Sequence, residues 1–322
     1  MENKETKNGL NLPAIKKQGG DLSVNKANAI QSLDLSKKSA VGSILKEEAS
    51  IQKGILNREH GLDLVLVGDL TASMTDYHEL LKNKFITLCG ELFPLIKNLR
   101  IGLVFYLDHD PSGTYGPDNP YITRVHKLTS NTQELIQFIK ATSTGNGYDN
   151  DEAVEDALND LNVNMNWRES SARSVVIFGD ASPHPKNECP FNLDFFDITS
   201  ELYKKGLTIN SVYCDKIDDV KLQRLENVAV GDFKKRITYL QPANFFSWIA
   251  NVTGGMVLSV QLIDDLVDII IAAAAKDSGN LEELEKKMKA TSPKKLNLIE
   301  VAKNAEKRRQ LYQGATKTIG EK

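Results

Sequence analysis

The sequence has few cysteines and no long apolar run. These shortages argue against a disulfide-stabilised protein and against a membrane-spanning protein. Cys89, Cys189 and Cys214 are odd in number and show no paired spacing. Neither a disulfide framework nor a zinc site is indicated, and we expect reduced thiols. No stretch reaches the ~18 apolar residues of a membrane span, and the N-terminal residues lack the apolar core of a signal peptide. These absences predict a cytoplasmic protein that does not enter a membrane.

The net charge is small but unevenly distributed. The chain carries a formal charge of −3 at pH 7. Residues 1–60 hold 10 Lys/Arg against 7 Asp/Glu, and residues 276–322 hold 12 against 7, which leaves −11 for residues 61–275. An acidic centre suits a bound cation and argues against a nucleic-acid partner.

The most informative stretch is residues 62–73. Its apolar part, Leu62 to Gly68, is typical of a strand buried on both faces of a parallel sheet, and Asp69 follows directly. Ligands of open α/β sheets bind beyond the carboxyl ends of the strands. Asp69, Thr71 and Ser73 could therefore aim three oxygens at a hard cation such as Mg2+. The alternative is a polar turn in which Asp69 or Thr71 caps the next helix.

Other segments alternate between strand and helix patterns. Apolar runs predict strands at residues 100–107, 121–126, 174–179, 207–214 and 255–260. Helical periodicity is found at residues 75–93, 132–141, 191–205, 244–251, 261–276, 281–288 and 296–311, and from Val154 onward. This alternation predicts an α/β fold with a mostly parallel central sheet and helices on both faces. Asp180 again follows a strand directly.

Two further polar segments could carry a site. In residues 142–153, Gly145 and Gly147 permit a backbone that turns a hydroxyl or a carboxylate inward, and the spacing matches neither a P-loop nor a dinucleotide fingerprint. Asp108-His109-Asp110 follows the second strand. Neighbouring side chains of an extended segment point apart, so we interpret this triplet as a strand end and not as one metal cluster.

In chain order, these motifs resemble the signature of von Willebrand factor A (VWA) domains with a metal-ion-dependent adhesion site. The closest resemblance is to the α-kinase-associated and bacterial tellurite-resistance-type VWA subgroup. It implies a Rossmann-like fold with a metal at the top of the sheet. The matching segments are Asp69-Leu-Thr71-Ala-Ser73, Gly147 to Ala153, Trp167-Arg168 and Asp180 to His184.

The resemblance also implies a ligand set from three loops: Asp69, Thr71, Ser73, Thr144 or Asp149, and Asp180. In the second loop Asp149 aligns best with the family carboxylate, whereas Thr144 matches the threonine of adhesion-type members, and both stay candidates. The implied ion is Mg2+, with Mn2+ or Ca2+ as alternatives. An acidic side chain of a protein partner would complete the coordination of this ion.

We therefore predict a non-catalytic, cytosolic, metal-dependent protein-interaction module, which the resemblance relates to bacterial stress-response or tellurite-resistance-type assemblies. The alternative is a metal-dependent phosphatase-like or other phosphoryl-transfer enzyme, which also keeps an aspartate after a buried strand. Such enzymes need a second aspartate two positions on, where this chain has Thr71. His184, between two prolines, is expected to shape its turn and not to act as a general base.

The chain is predicted to have three regions: an N-terminal extension (1–60), the VWA domain (61–277) and a charged helical tail (278–322). The extension contains a lysine-punctuated pattern twice, starting at Leu22 and Leu33. This pattern is interpreted either as a docking peptide or as a linker. The tail either packs against a partner or presents a solvated helical face.

Overall fold

The computed structural model describes residues 61–111, 119–260, 265–291 and 295–320, so the predicted N-terminal extension lies outside the described residues. The strands are β1 (Leu62–Asp69), β2 (Arg100–Tyr106), β3 (Thr123–Thr129), β4 (Asp151–Glu152), β5 (Ala172–Gly179), β6 (Ser182–Pro183), β7 (Leu207–Tyr213) and β8 (Val257–Ser259). The helices are α1 (Thr75–Leu95), α2 (Thr132–Ala141), α3 (Val154–Val163), α4 (Phe195–Lys204), α5 (Asp219–Leu225), α6 (Pro242–Thr253), α7 (Asp265–Ser278), α8 (Leu281–Thr291) and α9 (Leu296–Gly320).

A six-stranded sheet with the order β3-β2-β1-β5-β7-β8 forms the centre of the fold. All neighbouring strands run parallel except the edge strand β3, which is antiparallel to β2. The short strands β4 and β6 form a separate parallel pair. The sequence-based prediction of an α/β fold with a mostly parallel sheet and helices on both faces is confirmed.

Strand β1 is buried along its whole length, because helices cover both faces of the sheet. Alternate side chains of a strand point to opposite faces. Leu64 and Leu66 accordingly belong to a core shared with α1, α2 and α7. Val65 and Val67 belong to a second core shared with α3, α4 and α6. The apolar run predicted this double burial correctly.

The C-terminal helices extend the first of these cores. Ala272 to Ala275 of α7 are fully buried, and alanine permits close approach of the helix to the sheet. The buried side of α8 and of the first half of α9 joins the same core through Leu281, Leu284, Met288, Leu298, Ile299, Ala302 and Ala305. This part of the tail therefore packs against the sheet domain itself.

Among the described helices, none combines the length and apolar character that a bilayer crossing requires.

Several element boundaries differ from the sequence prediction, and one helix was not predicted. Helix α4 begins at Phe195 and not at residue 191, because the Asp194 carboxylate accepts hydrogen bonds from two backbone N–H groups of its first turn. Helix α5 was not predicted, and Asp218 caps its first turn. Helix α1 continues to Leu95, with Pro94 in its last turn. The first two differences arise from local capping, which apolar periodicity does not report.

The amino end of β1 is fixed by a buried ion-pair network around Asp63. The Asp63 carboxylate accepts hydrogen bonds from Nε and Nη2 of Arg100, at 2.9 and 2.8 Å. It also accepts bonds from the backbone N–H and Nε of Arg168, at 2.8 and 2.9 Å. Arg168 additionally donates to the carbonyls of Leu62 and Asn98. The Trp167-Arg168 motif therefore joins three segments at this end of the sheet.

We expect Asp63→Asn to lower the free energy of unfolding at pH 7 by about 3 kcal/mol, the lower end of the range for breaking a buried pair. The lower end applies because both guanidinium groups stay partly exposed. Urea unfolding followed by circular dichroism measures this change. Glu79→Gln, which breaks an exposed pair with Lys82, is the control and should leave the stability nearly unchanged. Equal effects of the two substitutions would contradict the prediction.

The same substitution should remove part of the acid sensitivity of the fold. Burial alone would raise the pKa of Asp63, but the hydrogen bonds from Arg100 and Arg168 outweigh it and lower the pKa below 3.8. A lowered folded-state pKa stabilises the protein fully above the unfolded value, and this stabilisation is lost as the pH falls through the folded value. The difference in stability between wild type and Asp63→Asn should therefore shrink below about pH 4.

Candidate metal centre

The candidate metal centre lies at the carboxyl end of β1, where a 3-10 turn (Ala72–Met74) leads into α1. Asp69 is fully buried there. Its Oδ1 accepts hydrogen bonds from the backbone N–H of Thr71 at 2.8 Å and from Thr71 Oγ1 at 2.7 Å. Its Oδ2 has no hydrogen-bond partner among the described residues. The turn therefore fixes one carboxylate oxygen and leaves the other available to a ligand.

Ser73 links this turn to the neighbouring strand β5. Its Oγ lies 3.4 Å from Thr71 Oγ1. Its hydroxyl also donates to the carboxylate of Asp180, the residue that follows β5. The structure thus brings together the side chains of Asp69, Thr71, Ser73 and Asp180.

The second predicted loop reaches the turn through its backbone. Gly145 N–H donates to the carbonyl of Leu70 at 3.1 Å, and Gly145 forms an isolated parallel β-bridge with Thr71. The neighbouring Thr144, which is half-buried, is therefore held next to the first loop. Asp149 is different, because its side chain is 64% exposed and lies 3.7 Å from His184 Nε2.

Sequence reasoning missed two polar groups at this centre, Glu152 and Tyr106. Both are buried, and Glu152 Oε2 and Tyr106 Oη have no hydrogen-bond partner among the described residues. Gly179 leaves room beside Tyr106 and Asp69: a Cβ at this position would lie 2.7 Å from Tyr106 Oη and 3.4 Å from Asp69 Oδ2. Glu152 stands inside the second VWA motif and could have been found there. Tyr106 ends an apolar strand and gave no signal.

The centre has an excess of carboxyl groups. Burial raises the pKa of Asp69 to about 7, with Asp180 and Asp108 adding to the increase and hydrogen bonds from Thr71 opposing it. Burial, and then repulsion from Asp69, Asp108 and Asp180, raises the pKa of Glu152 to about 10. No described Lys, Arg or His side chain forms an ion pair or hydrogen bond with Asp69. Oxygen donors without a compensating cation fit a hard divalent ion such as Mg2+.

The triplet after β2 diverges, as the sequence indicated. Asp108 Oδ2 accepts a hydrogen bond from the backbone N–H of Tyr148, and Asp108 Oδ1 lies 3.4 Å from His184 Nε2. His109 instead faces α3, where its Nε2 lies 3.1 Å from Glu155 Oε1. Glu155 also holds His184, through the backbone N–H and Nδ1 of that residue, each at 3.1 Å. The contacts of His184 are therefore with Glu155 of α3 and with Asp108 after β2, and not with its own turn.

Among the comparisons with known proteins, the comparison with solved structures finds matches. No family model and no curated protein match the chain. Proximal thread matrix protein 1 from the mussel byssus, with a zinc-occupied MIDAS motif, shares 14% identity over 67% of this chain at a TM-score of 0.45. This chain spans only 46% of that protein. BatB from Bacteroides thetaiotaomicron shares 13% identity over 68% of this chain and 100% of its own, at 0.44. The SpRpn10 VWA domain shares 12% identity over 65% of this chain and 94% of its own, at a TM-score of 0.42.

We expect Asp69→Asn to remove Mg2+ binding and to raise the thermal stability of the metal-free protein. A folded-state pKa above the unfolded value of 3.8 means that ionisation of Asp69 costs stability as the pH rises toward 7. Asparagine keeps the shape of the side chain and removes that cost. Wild type should gain roughly 2.7 kcal/mol when Mg2+ is present at 100 times its Kd, and the variant should gain nothing.

Calorimetric titration and thermal melts with and without Mg2+ measure both effects. Asp76→Asn is the matched control, since Asp76 is exposed in the first turn of α1. The control should retain wild-type Mg2+ affinity. A folded Asp69→Asn protein with unchanged affinity would contradict the assignment of this centre.

Proposed function

We propose that the chain is a VWA-type, metal-dependent protein-interaction module with its metal at the carboxyl end of β1. The observation that supports this most directly is the state of Asp69, a buried carboxylate with one oxygen fixed by Thr71 and the other without a partner. The proposed ion is Mg2+, with Mn2+ or Ca2+ as alternatives. The proposed protein ligands are Asp69, Thr71, Ser73, Asp180 and a residue of the second loop.

Each proposed residue has a distinct role in this mechanism. Asp69 supplies negative charge through Oδ2, and Thr71 orients that oxygen by holding Oδ1. Ser73 connects the first loop to Asp180 and so sets the spacing of the two aspartates. These side chains would hold a divalent ion, which would supply Lewis acidity toward an acidic side chain of a partner protein.

The second-loop ligand is proposed to be Thr144 in preference to Asp149, together with the carboxyl group of Glu152. What supports Thr144 is the backbone bridge between its neighbour Gly145 and Thr71. What speaks against Asp149 is its exposure and its contacts, which are with the backbone N–H of Asp151 and with His184. Glu152 has a buried oxygen without a partner.

An interaction module is favoured over a phosphoryl-transfer enzyme by the chemistry available beside Asp69. Acid–base catalysis needs a side chain that can take or give a proton at the reacting group. The residue two positions after Asp69 is Thr71, and its hydroxyl already donates to Asp69. His184 is paired with Glu155 and Asp108 and lies 3.7 Å from Asp149 Oδ1, so its ring nitrogens are already engaged.

A cytosolic location and a part in a stress-response assembly of the tellurite-resistance type complete the proposal. The proposed assembly rests on the resemblance of the motifs to that VWA subgroup, and the proposed location rests on the composition of the sequence.

Substitutions in the second loop should separate its candidate ligands. Thr144→Val and Glu152→Gln should each weaken Mg2+ binding by at least about tenfold, which corresponds to ~1.4 kcal/mol. Asp149→Asn should change the affinity by less than about threefold, because its exposed carboxylate has other contacts. Calorimetric titration of the three folded variants measures the affinities. Loss of binding in Asp149→Asn with wild-type affinity in Thr144→Val would reverse the assignment.

Chelation should release the protein partner. With the full chain immobilised, a partner from the native host is expected to bind in Mg2+, to elute with EDTA, and to rebind when excess Mg2+ is restored. Asp69→Asn bait should capture none of it, and Asp76→Asn bait should behave as wild type. The same preparations are assayed for hydrolysis of p-nitrophenyl phosphate. If the wild type shows metal-dependent hydrolysis and the Asp69→Asn protein does not, the interaction-module proposal is wrong and the phosphoryl-transfer enzyme takes its place.

A further inference from the structure

A second group of potential metal ligands lies beside the centre described above and uses none of its proposed ligands. His109 follows β2, Glu155 and Asp156 begin α3, and Cys189 lies in the loop between β6 and α4. One ligand atom of each of the four residues lies within 4.8 Å of those of the other three. His109, Glu155 and Cys189 are buried, and Asp156 is largely so. We call these four residues the His-Cys cluster.

Two carboxylates of the His-Cys cluster share one histidine nitrogen. His109 Nε2 lies 3.1 Å from Glu155 Oε1 and also 3.1 Å from Asp156 Oδ2. A single ring N–H directs its proton to one acceptor at a time, so it cannot fully satisfy both Glu155 Oε1 and Asp156 Oδ2. Two carboxylates therefore converge on one ring nitrogen. His184 also contacts Glu155, whereas Asp156 has its ion-pair contact with His109, and a cation placed between the two carboxylates would be favoured in a buried setting.

The surroundings of the His-Cys cluster resemble the outer shell of a metal site. His184 contacts Glu155 through its backbone N–H and Nδ1, and so orients that carboxylate. Burial, with added repulsion from Glu155 and Asp156, raises the pKa of the Cys189 thiol to about 11, and hydrogen bonds from the backbone N–H groups of Leu193 and Phe191 to the sulfur oppose this increase. Outer-shell partners of this kind orient metal ligands and tune their basicity.

We propose that His109, Glu155, Asp156 and Cys189 form a structural zinc site, separate from the Mg2+ centre. Tetrahedral zinc with bonds of about 2.0–2.3 Å places its ligand atoms roughly 3–4 Å apart, so small side-chain shifts bring the four atoms into range. Four protein ligands without an open position are characteristic of structural zinc. A thiolate and an imidazole also select zinc over Mg2+, which takes oxygen ligands.

This inference departs from the sequence expectation that the cysteines bind no zinc. That expectation rested on the absence of paired cysteine spacing, and here a single cysteine is combined with a histidine and carboxylates from other segments. Bound zinc would tie together the segment after β2, the start of α3 and the loop before α4. The first two of these segments also carry Asp108 and adjoin Glu152, which lie near Asp69, so zinc would stiffen this side of the proposed Mg2+ centre without contacting its ion.

Cobalt is the probe that tests the proposal, because a Co2+–thiolate bond gives a charge-transfer absorption band that oxygen ligands do not give. The full chain is stripped with chelator, titrated with CoCl2 and then challenged with ZnCl2. In wild type the thiolate band should be accounted for by one Co2+ per chain, whatever cobalt the oxygen-only Mg2+ centre takes up, and should be lost when Zn2+ displaces the cobalt. Cys189→Ala should show no band. His109→Gln should weaken cobalt binding by more than the ~10–100-fold that loss of an outer-shell partner costs.

Two controls separate this site from other thiols and from the Mg2+ centre. Cys89→Ala removes a buried thiol of α1 and should keep the full band. Asp69→Asn should also keep it, so that failure of the Mg2+ centre and failure of the zinc site are recorded independently.

The proposal is overturned if wild type shows no band, or if the band survives in Cys189→Ala. The first result would leave His109 as an imidazolium between two carboxylates. Burial lowers the pKa of His109, but Asp156 and Glu155 outweigh it and raise the pKa to about 9, which suits that rival state. If Cys189→Ala does not fold, His109→Gln decides: unchanged cobalt affinity overturns the site, and a large loss supports it.

Discussion

Burial of β1 on both faces is the constraint on which the remaining structure depends, because the strand carries an aspartate near each end. Asp63 and Asp69 are both fully buried. At the amino end, Arg100 and Arg168 neutralise Asp63 and lower its pKa. At the carboxyl end, Asp69 receives hydrogen bonds from Thr71 but no cationic side chain, and its pKa is raised. The same strand therefore carries one carboxylate, Asp63, that arginines neutralise, and another, Asp69, that has no cationic partner and is available to a ligand.

The stretch from β4 to the first turn of α3 supplies acidic side chains to both candidate sites. Glu152 extends toward Asp69, and Glu155, three residues later, extends toward His109 and His184. Its position is fixed by the pairing of β4 with β6 and by the hydrogen bond from Ala153 N–H to the carbonyl of Leu107. One short stretch of backbone thus sets the geometry of both candidate sites.

The sequence predicted the features that depend on short-range order. An apolar run followed by Asp69 located the first loop, and the same logic located Asp180, because both signals are adjacent residues on a strand. Helix α4 started later than predicted, since Asp194 and not the apolar pattern sets its first turn. The His-Cys cluster was beyond this reasoning: His109 and Glu155 are 46 positions apart, and only the packing of α3 against β2 brings them together.

The contribution of α8 and α9 to the central core has a consequence for synthesis on the ribosome. The core around α1 and α7 includes Ile299, Ala302 and Ala305, which lie more than 200 residues after β1 in the chain. Because domains generally fold as units during translation, the apolar side of α7 stays uncovered until these residues have left the exit tunnel. The nascent sheet is therefore exposed to aggregation for as long as the segment up to Ala305 is still being synthesised.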